Sequence, residues 1–316
     1  MRFQMENEMD WRTTTLSDLE ILQRCALNND FFANNYSAVN SVLYQKKFNS
    51  QIAVEDGWIF EKYVAHDKTR FSFPHHAEGN REGVYDALEM LACGIVDSER
   101  ALIFENITRE EKEILERKFP YGKFIPAPES GDYIYKTENL SALAGKKLSR
   151  KRNHIHQFQG KYPEYRFELL SEKNADAARQ VEEKWLEENA SPDSPAENLS
   201  DLQIERKIIL YALENFSDFS KSCGMAGGLL FAEEKPVAFC LASLLSSNVT
   251  DIHFEKCISP YARDGGYAVI NNEFAKTVQT EFINREEDLG IEGLRKAKLS
   301  YYPEQVLEKW NVEIDI

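Results

Sequence analysis

The sequence predicts an α+β protein, a mixed α/β sandwich of two tandem domains, each a central, mostly antiparallel sheet flanked by helices. Two observations carry this. Three short strands, a polar glycine-containing loop and an amphipathic helix follow one another twice along the 316 residues, a length with room for two ordinary domains. With 42% hydrophobic and 12% aromatic residues, the chain has enough apolar surface for a real core in each.

The first copy begins after a helical stretch, residues 13 to 48, whose apolar set includes Leu16, Leu19, Leu22 and Ala26 at three- and four-residue spacing. Extended runs at Ser50 to Asp56, Trp58 to Ala65 and Thr69 to Phe73 are separated by Gly57 and by His66-Asp67-Lys68. A polar loop, Pro74 to Gly83, leads into a helix with Val84, Leu88, Leu91 and Ile95 on one face. The second copy has strands at Gly227 to Glu233, Val237 to Leu245 and Val249 to Lys256. The loop Ser259 to Gly266 follows, then a helix with Tyr267, Ile270, Phe274 and Val278 on one face. Asp132 to Leu140 reads as a strand and is followed by a basic helix. Helices at Asn174 to Glu188 and Leu202 to Phe216 flank a loop of turn formers, Asn189 to Pro195. The expected boundary lies near residue 143, giving domains 1–143 and 144–316.

Composition narrows the function. A net charge of −15 opposes nonspecific nucleic-acid binding, which needs broad positive surface to displace counterions; a local basic patch still binds an anion. No apolar run approaches membrane-spanning length, since Glu233, Glu234 and Lys235 interrupt Met225 to Leu245. Glu6, Glu8 and Asp10 stand where a signal peptide needs basic and then apolar residues, which points to the cytoplasm. The five cysteines have no C-x-x-C spacing, so neither a disulfide framework nor a zinc site is expected; Cys93 and Cys240, inside apolar segments, read as buried thiols. There is no P-loop, H-E-x-x-H, G-x-S-x-G or Rossmann fingerprint.

Four places could carry chemistry. On a helix, Lys147, Arg150, Lys151 and His154 share a face beside the apolar stripe Leu148, Ile155 and Tyr162. Such clustered cations are either a solvated face balanced by acids elsewhere or a contact for phosphate or an RNA backbone. Tyr261-Ala-Arg-Asp-Gly-Gly-Tyr267 enters a helix, where unpaired N–H groups can cradle a pyrophosphate and Gly265 and Gly266 permit close approach beside Arg263; an ordinary loop is the competing reading. In Asp251-Ile-His-Phe-Glu-Lys256, strand alternation puts His253 and Glu255 on one face, where either could deprotonate an attacking group or serve in structural pairing. The densely charged segment Phe282 to Pro303, with two glycines, suits a structured loop. Its Asn284, Arg285, Glu287 and Asp288 form either a polar binding wall or a charged surface.

The runs Asp132-Tyr-Ile-Tyr135, Gly145-Lys-Lys, Lys151-Arg-Asn-His-Ile155, Asn284-Arg-Glu-Glu-Asp-Leu-Gly290 and Gly293-Leu-Arg-Lys-Ala-Lys298 resemble the phosphatidylglycerol lysyltransferase C-terminal domain family, in a branch without the membrane-spanning region. The resemblance covers nearly the whole chain. It implies two tandem GNAT-like domains related to the Fem-type peptidyltransferases. Well-known members pass an aminoacyl group from a charged tRNA to a lipid hydroxyl. It also implies substrate-binding roles for Lys147, Arg150, Lys151, Arg152, Asn153 and His154, and for the segment Asn284 to Lys298, including Lys298. In GNAT enzymes the loop at Arg263, Gly265 and Gly266 would hold the coenzyme A pyrophosphate.

Two functions follow as expectations. The first is an acyl- or aminoacyltransferase. Its donor is an acyl-coenzyme A or an aminoacyl-tRNA, its acceptor a small molecule, peptide or lipid headgroup, and no cofactor stays permanently bound. The second is a GNAT-like module that binds an anionic ligand without transfer chemistry. The first-copy loop, Gly79-Asn-Arg-Glu-Gly83, has acidic neighbours poorly suited to phosphate, so the second half, or the cleft between the halves, is the expected site.

Overall fold

The computed structural model describes residues 9–95, 101–190 and 196–315. The strands in chain order are β1 (Arg12–Thr13), β2 (Gln51–Glu55), β3 (Trp58–Ala65), β4 (Lys68–Phe71), β5 (His75–His76), β6 (Ala101–Ile107), β7 (Lys123–Pro126), β8 (Asp132–Lys136), β9 (Arg166–Leu169), β10 (Ala226–Ala232), β11 (Lys235–Leu244), β12 (Val249–Cys257), β13 (Phe282–Asn284), β14 (Gln305–Leu307) and β15 (Trp310–Asp315). The chain divides into two compact units, Met1–Asp132 with Leu307–Ile316, and Tyr133–Val306. The division thus falls at Asp132 rather than at 143, and the last strand returns to the first unit. The reason is pairing: β15 sits between β6 and β7, and its Val312 and Ile314 join the first unit's core.

The first unit's sheet runs β1-β2-β3-β4-β6-β15-β7, with β5 on β3. The meander β2-β3-β4 and the helix Val84–Ile95 match the expected first copy. Its buried face carries Ala87, Leu88 and Leu91, which leaves Cys93 on the opposite side and exposed, not buried as the local sequence suggested. The stretch 13–48 is broken into short helices: Leu19–Asn29 ends at Asp30 in the left-handed region (φ 50°), and Ala38–Leu43 and Gln45–Phe48 follow. A Thr108 cap starts the helix Arg109–Lys118, with the Glu111 carboxylate accepting from the Thr108 N–H at 2.6 Å. Within this unit the buried Lys309 ammonium donates to Asp132 Oδ1 at 2.8 Å and Asn34 Oδ1 at 2.7 Å, anchoring the returning segment.

The second unit's sheet runs β14-β8-β13-β12-β11-β10-β9, with β12 and β13 parallel and the pairs β8–β13, β12–β11, β11–β10 and β10–β9 antiparallel. The meander β10-β11-β12 is buried almost throughout; β10 and β11 are mostly apolar, while β12 carries Asp251, His253, Glu255 and Lys256. The helix Gly266–Ala275 packs Ala268, Val269, Ile270 and Phe274 into a core shared with Leu148, Ile155, Phe158 and Tyr162 of the basic segment. Asp132 to Leu140 is a strand only to Lys136 and then turns helical (Thr137–Ala142). The helices Ala175–Asn189 and Ala196–Glu214 occupy the expected places; most of the loop Asn189 to Pro195 lies outside the described residues. No helix among the described residues is long and apolar enough to cross a membrane.

Candidate functional site

The second unit's chemistry is organised by an irregularity in β12. Leu241 pairs with Phe254 and Ala242 with Ile252, so His253 is an extra residue in the ladder. Such a bulge re-aims the side chains around it. Here it gives His253 and Glu255 different neighbours, where simple alternation put them on one face. Glu255 meets Asn271 and Arg285; the His253 ring meets Ser243, Glu286 and Asp251.

Glu255 is the centre of a polar cluster in an otherwise apolar face. Its Oε2 accepts from Arg285 Nε at 3.1 Å and Nη2 at 2.5 Å, and its Oε1 accepts from Asn271 Nδ2 at 3.1 Å. Glu255 and Arg285 side chains are each 13% exposed. Burial opposes the Arg285 charge, and the Glu255 carboxylate more than restores it, so the guanidinium stays protonated. Two atoms of the cluster are buried without a hydrogen-bond partner, Arg285 Nη1 and Asn271 Oδ1. One is a donor and the other an acceptor, and leaving either unmade inside a protein is costly.

Aromatic rings and a lysine complete the cluster. The Arg285 guanidinium lies 4.9 Å from the Tyr301 ring centroid and 5.8 Å from that of Tyr135. Lys151 Nζ lies 3.7 Å from the same Tyr301 ring. Burial first, and then the charges of Arg285 and Arg150, lower the Lys151 pKa to about 8. Lysine in this range exchanges a proton near neutrality, as a general base or acid requires. Tyr135 donates its hydroxyl to the Lys298 carbonyl at 2.8 Å, and Lys298 Nζ donates to the carbonyls of Arg285 and Glu287. Lys298, buried and with its pKa lowered chiefly by desolvation, therefore holds the backbone that carries Arg285.

The other expected residues divide by role. Buried Asp288 accepts from the Tyr133 hydroxyl at 2.6 Å, from Arg295 Nε and Nη2 at 2.8 and 3.0 Å, and from the Gly290 N–H at 2.9 Å. The Arg295 hydrogen bonds hold its pKa down at about 2. Asn284 Oδ1 accepts the Glu286 N–H at 2.6 Å. Both residues shape the loop after β13 instead of facing the cluster as a binding wall. In the basic helix (Ser149–Lys161), Lys151 turns inward with Ile155 and Phe158, while Arg150, Asn153 and His154 are exposed. Arg152 Nη1 donates to the carbonyls of Leu143 and Gly145, and Lys147 Nζ sits 5.6 Å from the Tyr302 ring.

The glycine loop is closed in on itself. The N–H groups of Arg263 and Asp264 bond the Pro260 carbonyl, that of Gly265 the Ala262 carbonyl, and that of Gly266 the Tyr261 carbonyl at 2.8 Å. A Cβ at Gly265 (φ 109°) would stand 2.3 Å from the His154 carbonyl oxygen, and one at Gly266 2.6 Å from Cys257 Sγ. These glycines let the loop pack against the basic helix and β12. The amides expected to cradle a pyrophosphate are spent within the loop, and Asp264 binds Lys161 and the Tyr162 hydroxyl, each at 2.7 Å. Asn271, Tyr301, Tyr135 and Ser243 were not expected as site residues. Helical spacing from Tyr267 places Asn271 on the face that packs on the sheet, and that is the one sequence signal for it.

Comparison with known proteins places this geometry in a family. The family model "Phosphatidylglycerol lysyltransferase, C-terminal" matches residues 32–313, and the chain belongs to that family. A crystal structure of a conserved protein of unknown function from Bacteroides thetaiotaomicron is similar at 29% identity and TM-score 0.87, covering 97% of this chain and 100% of that one. The C-terminal domain of a putative lysylphosphatidylglycerol synthetase from Agrobacterium fabrum is similar at 11% identity and TM-score 0.64, with 94% and 92% covered. FemX is similar at 8% identity and TM-score 0.58, with 98% of each chain covered. The fold is two GNAT-like domains in tandem.

Proposed function

We propose that the protein is an aminoacyl- or acyltransferase acting at the Glu255–Arg285 cluster of the second unit. Family membership supports aminoacyl transfer as the reaction class. The observation that carries the site is the buried, unpartnered Arg285 Nη1, beside a lysine whose pKa lies at about 8. A fixed donor of this kind suits the oxygen of an ester or thioester carbonyl as it gains negative charge. An acceptor O–H or N–H adds to the carbonyl carbon, neutral Lys151 takes the proton, and the tetrahedral intermediate expels the donor's hydroxyl or thiol, which leaves with that proton. Glu255 holds Arg285 in place, and Asn271 Oδ1 faces the same substrate as an acceptor of a hydrogen bond.

The internally bonded amides of residues 263–266 weigh against a coenzyme A thioester and towards a charged tRNA as donor. Exposed Arg150, with Lys147, would then contact its phosphates. The acceptor is an amine or hydroxyl of a small molecule, peptide or lipid headgroup, and the cytoplasm is the expected location. The same occupied amides favour a second reading, a non-catalytic binder of an anionic ligand. Thermal-shift and direct-binding measurements with coenzyme A, acetyl-coenzyme A and bulk charged tRNA separate the three, since a ligand of the folded state raises Tm. Stabilisation by charged tRNA supports this account, a coenzyme A response alone moves the donor to a thioester, and no response to any of them counts against transfer.

A further inference from the structure

We infer that Asp251, His253 and Glu286 form a binding site for a divalent first-row metal ion such as Zn2+. The candidate ligand atoms, one from each residue, lie within 4.8 Å of one another. His253 Nδ1 stands 3.2 Å from Glu286 Oε1 and 3.6 Å from Asp251 Oδ2. An imidazole Nδ1 has one proton at most and serves one carboxylate at a time. The Asp251 separation is also too long for a hydrogen bond. Both separations suit ligands of one ion, because bonds of about 2.1 Å in a tetrahedral site set neighbouring ligand atoms about 3.4 Å apart.

The surroundings fit the same ion. His253 Nε2 lies 2.8 Å from Ser243 Oγ, the kind of contact that fixes the tautomer of a metal-bound imidazole and leaves Nδ1 to the metal. Two carboxylates and a neutral imidazole balance a divalent charge, and oxygen and imidazole ligands suit Zn2+. Asp251 and His253 side chains are at most 1% exposed, and Glu286 is 16% exposed, which leaves a way in from solvent. Glu286 takes a left-handed backbone angle (φ 57°), with its N–H held by Asn284 Oδ1 at 2.6 Å and its carbonyl accepting the Tyr133 N–H at 3.2 Å. The cations of the same loop bond other groups: Arg285 bonds Glu255, Arg295 bonds Asp288, and Lys298 bonds two carbonyls.

The test uses full-length protein purified without metal-affinity resin, stripped with EDTA and titrated with ZnCl2. Bound metal is counted by mass spectrometry after desalting, and Tm is read with and without zinc. One zinc per chain, a raised Tm, and at least about tenfold weaker binding in Glu286→Gln are expected. If that variant does not fold by circular dichroism, Ser243→Ala, which removes only the contact to Nε2, is expected to weaken binding about 10-fold or more. A folded wild type that retains no zinc and shows no Tm change overturns the inference. So does zinc binding that a folded Glu286→Gln protein, or failing that a folded Ser243→Ala protein, leaves unchanged.

Discussion

Arg285 grips Glu255 with Nε and Nη2, while its third nitrogen, Nη1, is buried with no hydrogen-bond partner. A guanidinium used on one edge only, inside a protein, is a donor held ready for something the chain itself does not supply. Replacing Arg285 with lysine keeps the charge but removes the planar fork that can hold Glu255 and a second oxygen together. Arg285→Lys is expected to fold and to lose about a hundredfold in transfer rate. Circular dichroism and single-turnover kinetics measure the two effects separately.

Lys151 makes stability depend on pH in an unusual direction. Its folded pKa, about 8, lies below the value near 10.4 of an unfolded chain. Between these values the unfolded chain binds the extra proton, so stability rises with pH through this window and is lowest below about 8. Lys151→Met removes the desolvated charge and is expected to raise Tm at pH 7. The gain over wild type should shrink as pH rises from 8 towards 10, which a Tm series in pH records.

Asp288 is shifted in favour of its charged form, where Lys151 is shifted against it, yet its contribution to stability also rises with pH. Its pKa, held down at about 2 chiefly by Arg295, lies below the unfolded value near 3.9. Its contribution is fully present above about pH 4 and is lost as pH falls through 2. Asp288→Asn is expected to lower Tm at pH 7 by several degrees, and the gap to wild type should close on acidification.

The buried Lys309–Asp132 pair of the first unit predicts a non-additive result. Lys309→Met takes the ammonium counter-charge away from the buried Asp132 carboxylate and is expected to cost about 3–5 kcal/mol. Adding Asp132→Leu removes that charge and should restore part of the loss. Urea unfolding of the two variants gives the comparison, and equal or greater loss in the double variant would refute it.

The repeated meander, loop and helix were legible because their spacing is local: β2 to β4 and β10 to β12 lie where strand alternation and turn residues put them. The return of β15 to the first unit was not, since that pairing with β6 and β7 joins segments some two hundred residues apart and leaves no local pattern. Among site residues, Glu255, Arg285 and Lys151 stood out as charges in apolar or basic settings. Spacing could not tell inward-turned Lys151 from exposed Arg150, nor foresee the bulge that separates His253 from Glu255. The glycines at 265 and 266 were visible, but their use in close packing depends on His154 and Cys257 arriving from elsewhere in the chain.

The most direct test of the account is aminoacyl transfer to hydroxylamine, a small nucleophile that stands in for the unknown acceptor. Bulk tRNA charged with radiolabelled amino acids is the donor, and aminoacyl hydroxamate is measured against the uncatalysed background. The account predicts acceleration by the wild-type protein and a loss of about a hundredfold in Arg285→Lys. No acceleration, or equal acceleration by the folded variant, would contradict it.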